Sequence, residues 1–260
     1  MITTNYQHLE SEGETYVFIP GFGCNHESFK LLLNEIDTNN KNIYIINNRI
    51  NTDTSDFTLR DLAKDVIELM DETGNEKFHL IGTSMGGFIA QILASSYHDR
   101  LLSLSLLCTL GNKDDFHPIK IYSEQELTEF QKVPSQKAIP FSTEKITHQE
   151  TVLNKDTFNK IVQIRIKNRC NLEDHIKQMK AVKNFFSSDH ACIDYQKINV
   201  PSLILSGDND RFVSPKNINI LNKYIPHAKN QLIKNTDHLF FMEKPKEVAK
   251  ALNHFWEEIK

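Results

Sequence analysis

Several protein classes are excluded by what this chain lacks. No apolar run approaches the roughly 18 residues a membrane-spanning helix requires. The greasiest stretch, Leu101 to Cys108, has eight residues and is broken by two serines. There is no basic excess: 30 Lys and Arg stand against 34 Asp and Glu, a net charge of -4 that argues against a nucleic-acid partner. The four cysteines, Cys24, Cys108, Cys170 and Cys192, share no metal-ligand spacing. The chain does not open on a basic segment followed by an apolar one, so the expectation is a cytoplasmic protein with reduced thiols, Cys108 being a small core residue. Glycine is scarce at nine residues in 260, which makes its clustering informative.

Short apolar runs alternate with segments of helical period, the pattern of a largely parallel sheet covered on both faces. The expected strands are Thr15–Ile19, Ile43–Ile46, Phe78–Ile81, Leu101–Leu107, Ser202–Leu205 and Gln231–Ile233. Between them, Leu59 to Thr73 carries a stripe of Leu62, Val66, Leu69 and Met70 with Gly74 as its C-cap. Met85 to Ser96 repeats apolar residues at Met85, Phe88, Ile89, Ile92 and Leu93, and Pro245 opens a closing helix through Val248, Leu252, Phe255 and Ile259. The alternation stops over residues 111–195, a polar stretch with three prolines that reads as short helices inserted into a core of residues 1–110 and 196–260.

The third strand runs into Gly82-Thr83-Ser84-Met85-Gly86-Gly87 and then a helix. This is G-x-S-x-G in a strand–turn–helix context, where a serine on a tight turn lifts its hydroxyl above the sheet edge and glycines give strand and helix room to pass. A nucleophilic serine needs a base, and the base needs an orienting acid. Among eleven histidines, His79 lies within a strand and His26 and His227 beside turns, whereas His238 follows the last strand and precedes the closing helix. Loops at the carboxyl ends of parallel strands share one edge, so Ser84 and His238 can meet there. The fifth strand ends in Ser206-Gly207-Asp208-Asn209-Asp210, offering Asp208 and Asp210 as the acid.

With these residues in place, the sequence resembles the α/β-hydrolase superfamily over nearly its whole length. The likeness rests on Pro20-Gly21-Phe22-Gly23, on Gly82-Thr83-Ser84-Met85-Gly86-Gly87, on Gly207-x-x-Asp210, and on His238 followed by Glu243 and Pro245. It implies an α/β-hydrolase fold, with a mostly parallel central sheet, helices on both faces and an inserted helical cap. It selects Asp210 over Asp208, and it implies an oxyanion hole formed by the backbone amides of Phe22 and Met85. Two departures stand out. The glycine-rich segment usual after the second strand is replaced by Asn48-Arg49-Ile50-Asn51-Thr52-Asp53-Thr54-Ser55, and the residue before the histidine, often Gly, is Asp237. A serine at position 84 also speaks against the dehalogenase and epoxide hydrolase branches, which carry Asp there.

A narrower likeness joins Pro20–Asn25, Phe185–His190 and Val200–Leu205 to the RsbQ-type signalling hydrolases and their plant hormone-receptor relatives. The expectation is therefore a serine hydrolase of a small carboxylic ester, thioester or lactone, working through an acyl-enzyme without metal or organic cofactor. A cofactor-free lyase or C–C bond hydrolase on the same scaffold, or a ligand-sensing signalling hydrolase, stands as the alternative. The expected partner is a small-molecule substrate, with the chain a monomer or homodimer. Arg165 and Arg169, four residues apart on an expected helix, offer either a carboxylate-binding pair or a solvated basic face.

Overall fold

The computed structural model describes residues 5–50, 55–111, 114–187 and 193–260. Positions 51–54 of the segment after the second expected strand lie outside the described residues, as do Ser188, Asp189, His190 and Cys192. Strands β1 (Tyr6–Leu9), β2 (Glu14–Ile19), β3 (Lys41–Ile46), β4 (Phe78–Thr83), β5 (Leu101–Leu107), β6 (Ser202–Gly207) and β7 (Lys229–Ile233) form one sheet. Their order is β1-β3-β2-β4-β5-β6-β7, and only β1 runs antiparallel to its neighbour. β1 was not anticipated from the sequence. All four of its residues are exposed, so this edge strand carries no apolar alternation to reveal it; it pairs with β3 through backbone and through His8, which stacks on Tyr44 at 4.1 Å and meets Asn42 Oδ1 at 2.7 Å.

Side-chain alternation divides the core between the two faces of the sheet. Val17 and Ile19 of β2 pack with α2 (Leu59–Glu72) and α3 (Met85–Ser96), whereas Tyr16 and Phe18 face Leu32 of α1 (Lys30–Leu33) and the closing helix. α2 begins in a Thr58–Asp61 capping box. It ends with Gly74 at φ 72°, where Asn75 N donates to Met70 O and Gly74 N to Asp71 O, the paired bonds of a Schellman cap. α3 is buried nearly all round rather than along one stripe. Its one long polar side chain, Gln91, donates to the carbonyls of Gly87 and Leu110 and accepts from the Tyr195 hydroxyl.

Between β5 and β6 lie α4 (Glu124–Lys132), α5 (Ser135–Glu144), α6 (Gln149–Leu153), α7 (Lys155–Lys167) and α8 (Leu172–Ser187). The chain then adds α9 (Asn217–Tyr224), a single turn α10 (Phe240–Glu243) and α11 (Pro245–Glu258). Val248, Leu252, Phe255 and Trp256 of α11 are buried, with Trp256 edge-on to Tyr16 at 4.7 Å. Among the described residues no helix is long and apolar enough to cross a membrane.

Candidate active site

Ser84 stands between the end of β4 and the first turn of α3 with φ 52° and ψ -115°, a conformation costing a non-glycine residue roughly 1–3 kcal/mol. The flanking glycines permit it. A Cβ on Gly82 would lie 2.4 Å from Gly86 O, and one on Gly86 would lie 2.1 Å from Ile19 O, so any side chain at either position drives strand and helix apart. Gly21 abuts the serine from the other side, its hypothetical Cβ falling 3.2 Å from Ser84 Cβ.

The three loops that follow β4, β6 and β7 converge at the carboxyl edge of the sheet. His238 Nε2 lies 3.1 Å from Ser84 Oγ, and His238 Nδ1 lies 2.9 Å from Asp210 Oδ2. An ionised carboxylate can only accept, so Nδ1 carries the proton and Nε2 is left free to accept from the serine hydroxyl. Asp210 is held in turn by the amides of Phe212 and Val213, both donating to Oδ1 at 2.9 and 2.7 Å. Asp208 instead lies beside the Asn209 side chain and the Thr236 amide, away from the imidazole. Burial, the largest single influence, disfavours the imidazolium, but the Asp210 charge and hydrogen bond, together with contributions from Cys108, outweigh it and hold the His238 pKa well above the ordinary 6.5.

Both departures from the family pattern have a structural account. Asp237 is buried, accepts from the amides of His238 and Arg211, each at 2.8 Å, and pairs with the Arg211 guanidinium, which fixes the loop that presents the imidazole. Glu243 accepts from Asp237 N and from His148 N, tying the same loop to the start of α6. In place of the glycine-rich segment, Asn48 and Arg49 themselves adopt φ of 49° and 56°. Asn48 Nδ2 donates to Pro20 O, and Arg49 forks onto Asp65 at 2.6 and 2.7 Å.

Phe22 and Met85 both line the cavity above Ser84. Met85 is the first residue of α3, where a helix leaves its N–H without an internal partner. Beside Phe22, Gly23 N donates to Gln178 Oε1 at 2.8 Å, while Gln178 Nε2 donates to Asn48 O. Buried Gln178 thus joins the two loops from α8. Sequence reasoning missed it, because its partners lie more than a hundred residues away and no local motif marks it.

Cys108 is a buried core residue, as its apolar surroundings in the sequence imply, and it has a second feature. It sits at the end of β5 with φ 41°, and its sulfur, an Asp210 oxygen and a His238 nitrogen all lie within 4.8 Å of one another. A soft cation bound there would displace the His238–Asp210 hydrogen bond, so the set can orient a proton or hold a metal, not both. Burial pushes the Cys108 thiol up, which keeps it protonated. Its position at a strand terminus on the Ser84 edge was the available signal. The cysteines of the described residues, Cys24, Cys108 and Cys170, are free.

The cavity measures about 440 Å³, within the range of small-molecule sites. Its walls are mostly apolar, with Phe88 and Met179 among them, and α4, α5, α7 and α8 all contribute side chains. Ring His175 packs 5.2 Å from Phe22; burial, with a smaller contribution from the Arg169 charge, lowers its pKa to about 4 and leaves it neutral. The expected helix does not reach both arginines: α7 ends at Lys167, so Arg165 lies in its last turn and Arg169 beyond its C-cap Asn168. Arg169 donates to the carbonyls of Val133 and Phe130 and to Ser135 Oγ, whereas Arg165 donates to Thr143 Oγ1 at 2.6 Å.

A fold with this sheet order and a serine on a strand-to-helix turn is matched by one family model, the alpha/beta hydrolase fold, over residues 16–245. The chain belongs to that family and is an α/β-hydrolase. Lipases and esterases are among the proteins it resembles. Monoacylglycerol lipase ABHD6 of Bos taurus is 28% identical over 188 residues, 68% of this chain and 54% of that protein, so the match spans about half the length of that relative. Lipase 3 of Moraxella sp. (strain TA144) is 24% identical over 95% of this chain and 79% of its own length. In fold the chain is similar to a thermophilic esterase from Thermogutta terrifontis, with TM-score 0.76, 19% identity and 98% and 93% of the two chains covered. The enol-lactonase from Burkholderia xenovorans LB400 superposes with TM-score 0.76 and 16% identity, covering 98% and 96%.

Proposed function

We propose that the protein is a serine hydrolase that cleaves a small carboxylic ester, thioester or lactone through an acyl-enzyme, with residues 111–195 serving as a cap over the site. The observation that carries this reading is the continuous chain Ser84–His238–Asp210, hydrogen-bonded at 3.1 and 2.9 Å and opening onto an apolar cavity. His238 Nε2 takes the proton as Ser84 Oγ bonds to the carbonyl carbon, and the carbonyl oxygen becomes an oxyanion facing the amides of Phe22 and Met85. Each such donor contributes about 2.7–4 kcal/mol to transition-state stabilisation. Collapse breaks the bond to the leaving alcohol or thiol, which receives the proton from His238. Water, deprotonated by the same nitrogen, then cleaves the acyl–serine bond and restores the hydroxyl. Asp210 orients the ring and stabilises the imidazolium formed in each half-reaction. These steps call on side chains, amides and water.

Names among the relatives point the same way: lipase, esterase and lactonase all describe attack on a carboxylic carbonyl. Steady-state turnover of p-nitrophenyl acetate and butyrate tests the reading. The protein should turn both over repeatedly, and Ser84→Ala should lower kcat by about 10⁶-fold. Undiminished turnover in that variant would refute the proposal.

A further inference from the structure

The cavity over Ser84 differs in charge from the molecule around it. The chain carries a net charge of -4, yet four cationic side chains line the cavity, Lys120, Lys145, Arg165 and Arg169, against a single carboxylate, Glu126. Three of the four cations are already engaged. Lys120 pairs with Glu126 at 2.7 Å, the Lys145 ammonium lies over the Phe141 ring at 5.0 Å, and Arg169 spends its donors on Val133, Phe130 and Ser135.

Arg165 is different. A guanidinium has five N–H donors. Among the described residues Arg165 uses one, to Thr143 Oγ1, and forms no ion pair. Thr143 is itself fixed, its hydroxyl donating to Ile139 O at 2.6 Å, so the guanidinium is aimed by a buried and fully committed partner. Burial pulls the Arg165 pKa down from its usual value, as befits a cation short of counter-charge, though the group stays protonated at neutral pH. Arg165, Ser84 and His238 all line this one cavity of about 440 Å³. Arg165 is therefore within a small molecule's length of the Ser84–His238 pair. An unpaired guanidinium in an apolar cavity is destabilising by itself, and a bound anion offsets that cost.

We infer that Arg165 is the recognition group for a free carboxylate on the substrate, so that the preferred ester, thioester or lactone is an anion. The inference rests on the ester-hydrolase reading of Ser84, His238 and Asp210. The planar fork of the guanidinium matches the two oxygens of a carboxylate, and the apolar walls between Arg165 and Ser84 fit the short hydrocarbon that joins carboxylate to scissile carbonyl.

The test compares kcat/KM of the full chain on two esters, followed by pH-stat titration: monoethyl glutarate and ethyl 5-methylhexanoate, in which an isopropyl group replaces the carboxylate. The hemiester should be preferred by roughly 10- to 100-fold, the worth of charge-assisted hydrogen bonds lost in the neutral compound. Arg165→Gln should bring that ratio close to unity, whereas a purely structural Arg165 would lower both values together and leave the ratio standing. Equal rates on the two esters with the unaltered protein would overturn the inference without any variant having to fold. A higher kcat/KM on ethyl 4-phosphonobutanoate than on the hemiester would overturn the carboxylate assignment in favour of a phosphoryl group. Silence on all three esters and on the p-nitrophenyl esters would instead overturn the hydrolase reading itself.

Discussion

Along the sheet edge the cavity floor is set by backbone: Ser84 and Cys108 hold positive φ, and Gly82 and Gly86 let α3 approach β2 and β4 closely. Across the cavity, the wall made by α4, α5, α7 and α8 is set by side chains. Arg165 is aimed by Thr143, Arg169 ties the segment after α7 to the α4–α5 turn, and Gln178 bridges Gly23 and Asn48. The floor holds groups that must meet within bonding reach, and a strained main chain gives that precision because it has few alternative states. On the function proposed above, the wall would decide which molecules enter, and exchanging a side chain there should alter selectivity without moving the serine.

This contrast can be broken at the floor most severely. Asp210→Asn should lower kcat by about 10⁴-fold, since an amide no longer enforces the Nδ1–H tautomer or stabilises the imidazolium. The same change has a pH signature. Only neutral His238 accepts the serine proton, and Asp210 raises its pKa, so the acid limb of the kcat/KM profile should lie above pH 6.5. Removing the Asp210 charge should shift that limb to lower pH, and a limb that moves upward would contradict the account.

A stability comparison sharpens the difference. Gly86→Ala gains helix propensity worth about 1 kcal/mol but places a carbon 2.1 Å from Ile19 O, so a net loss of about 2 kcal/mol is expected in urea titration. On the helical side, Leu153→Ala on α6 alters a residue that is 68% exposed and should stay within about 0.5 kcal/mol of the unaltered protein. Equal losses at the two positions would remove the distinction between floor and wall.

The same division explains how much could be read from the sequence. Ser84 and its glycines were legible because a tight turn constrains which residues can occupy it, whatever lies far away. The strands from β2 to β7 were legible from short apolar runs, and β1 was not, because four exposed residues leave no pattern. Helical spacing placed Arg165 and Arg169 together and stopped there; their different partners come from α5 and from the α4–α5 turn. Cys108 looked like ordinary core because burial was visible in its neighbours, whereas its proximity to His238 depends on how β5 and β7 end in space. Asp237 stood out as a departure, and only the fold shows it holding Arg211 and the His238 amide.

The central claim is that one hydroxyl, activated by the imidazole beneath the cavity, forms the covalent intermediate. Reaction with a fluorophosphonate followed by peptide mass mapping tests it directly. The account predicts a single adduct on Ser84, with esterase activity lost in proportion to labelling. An adduct on Cys24 or elsewhere, or turnover that survives complete modification of Ser84, would contradict it.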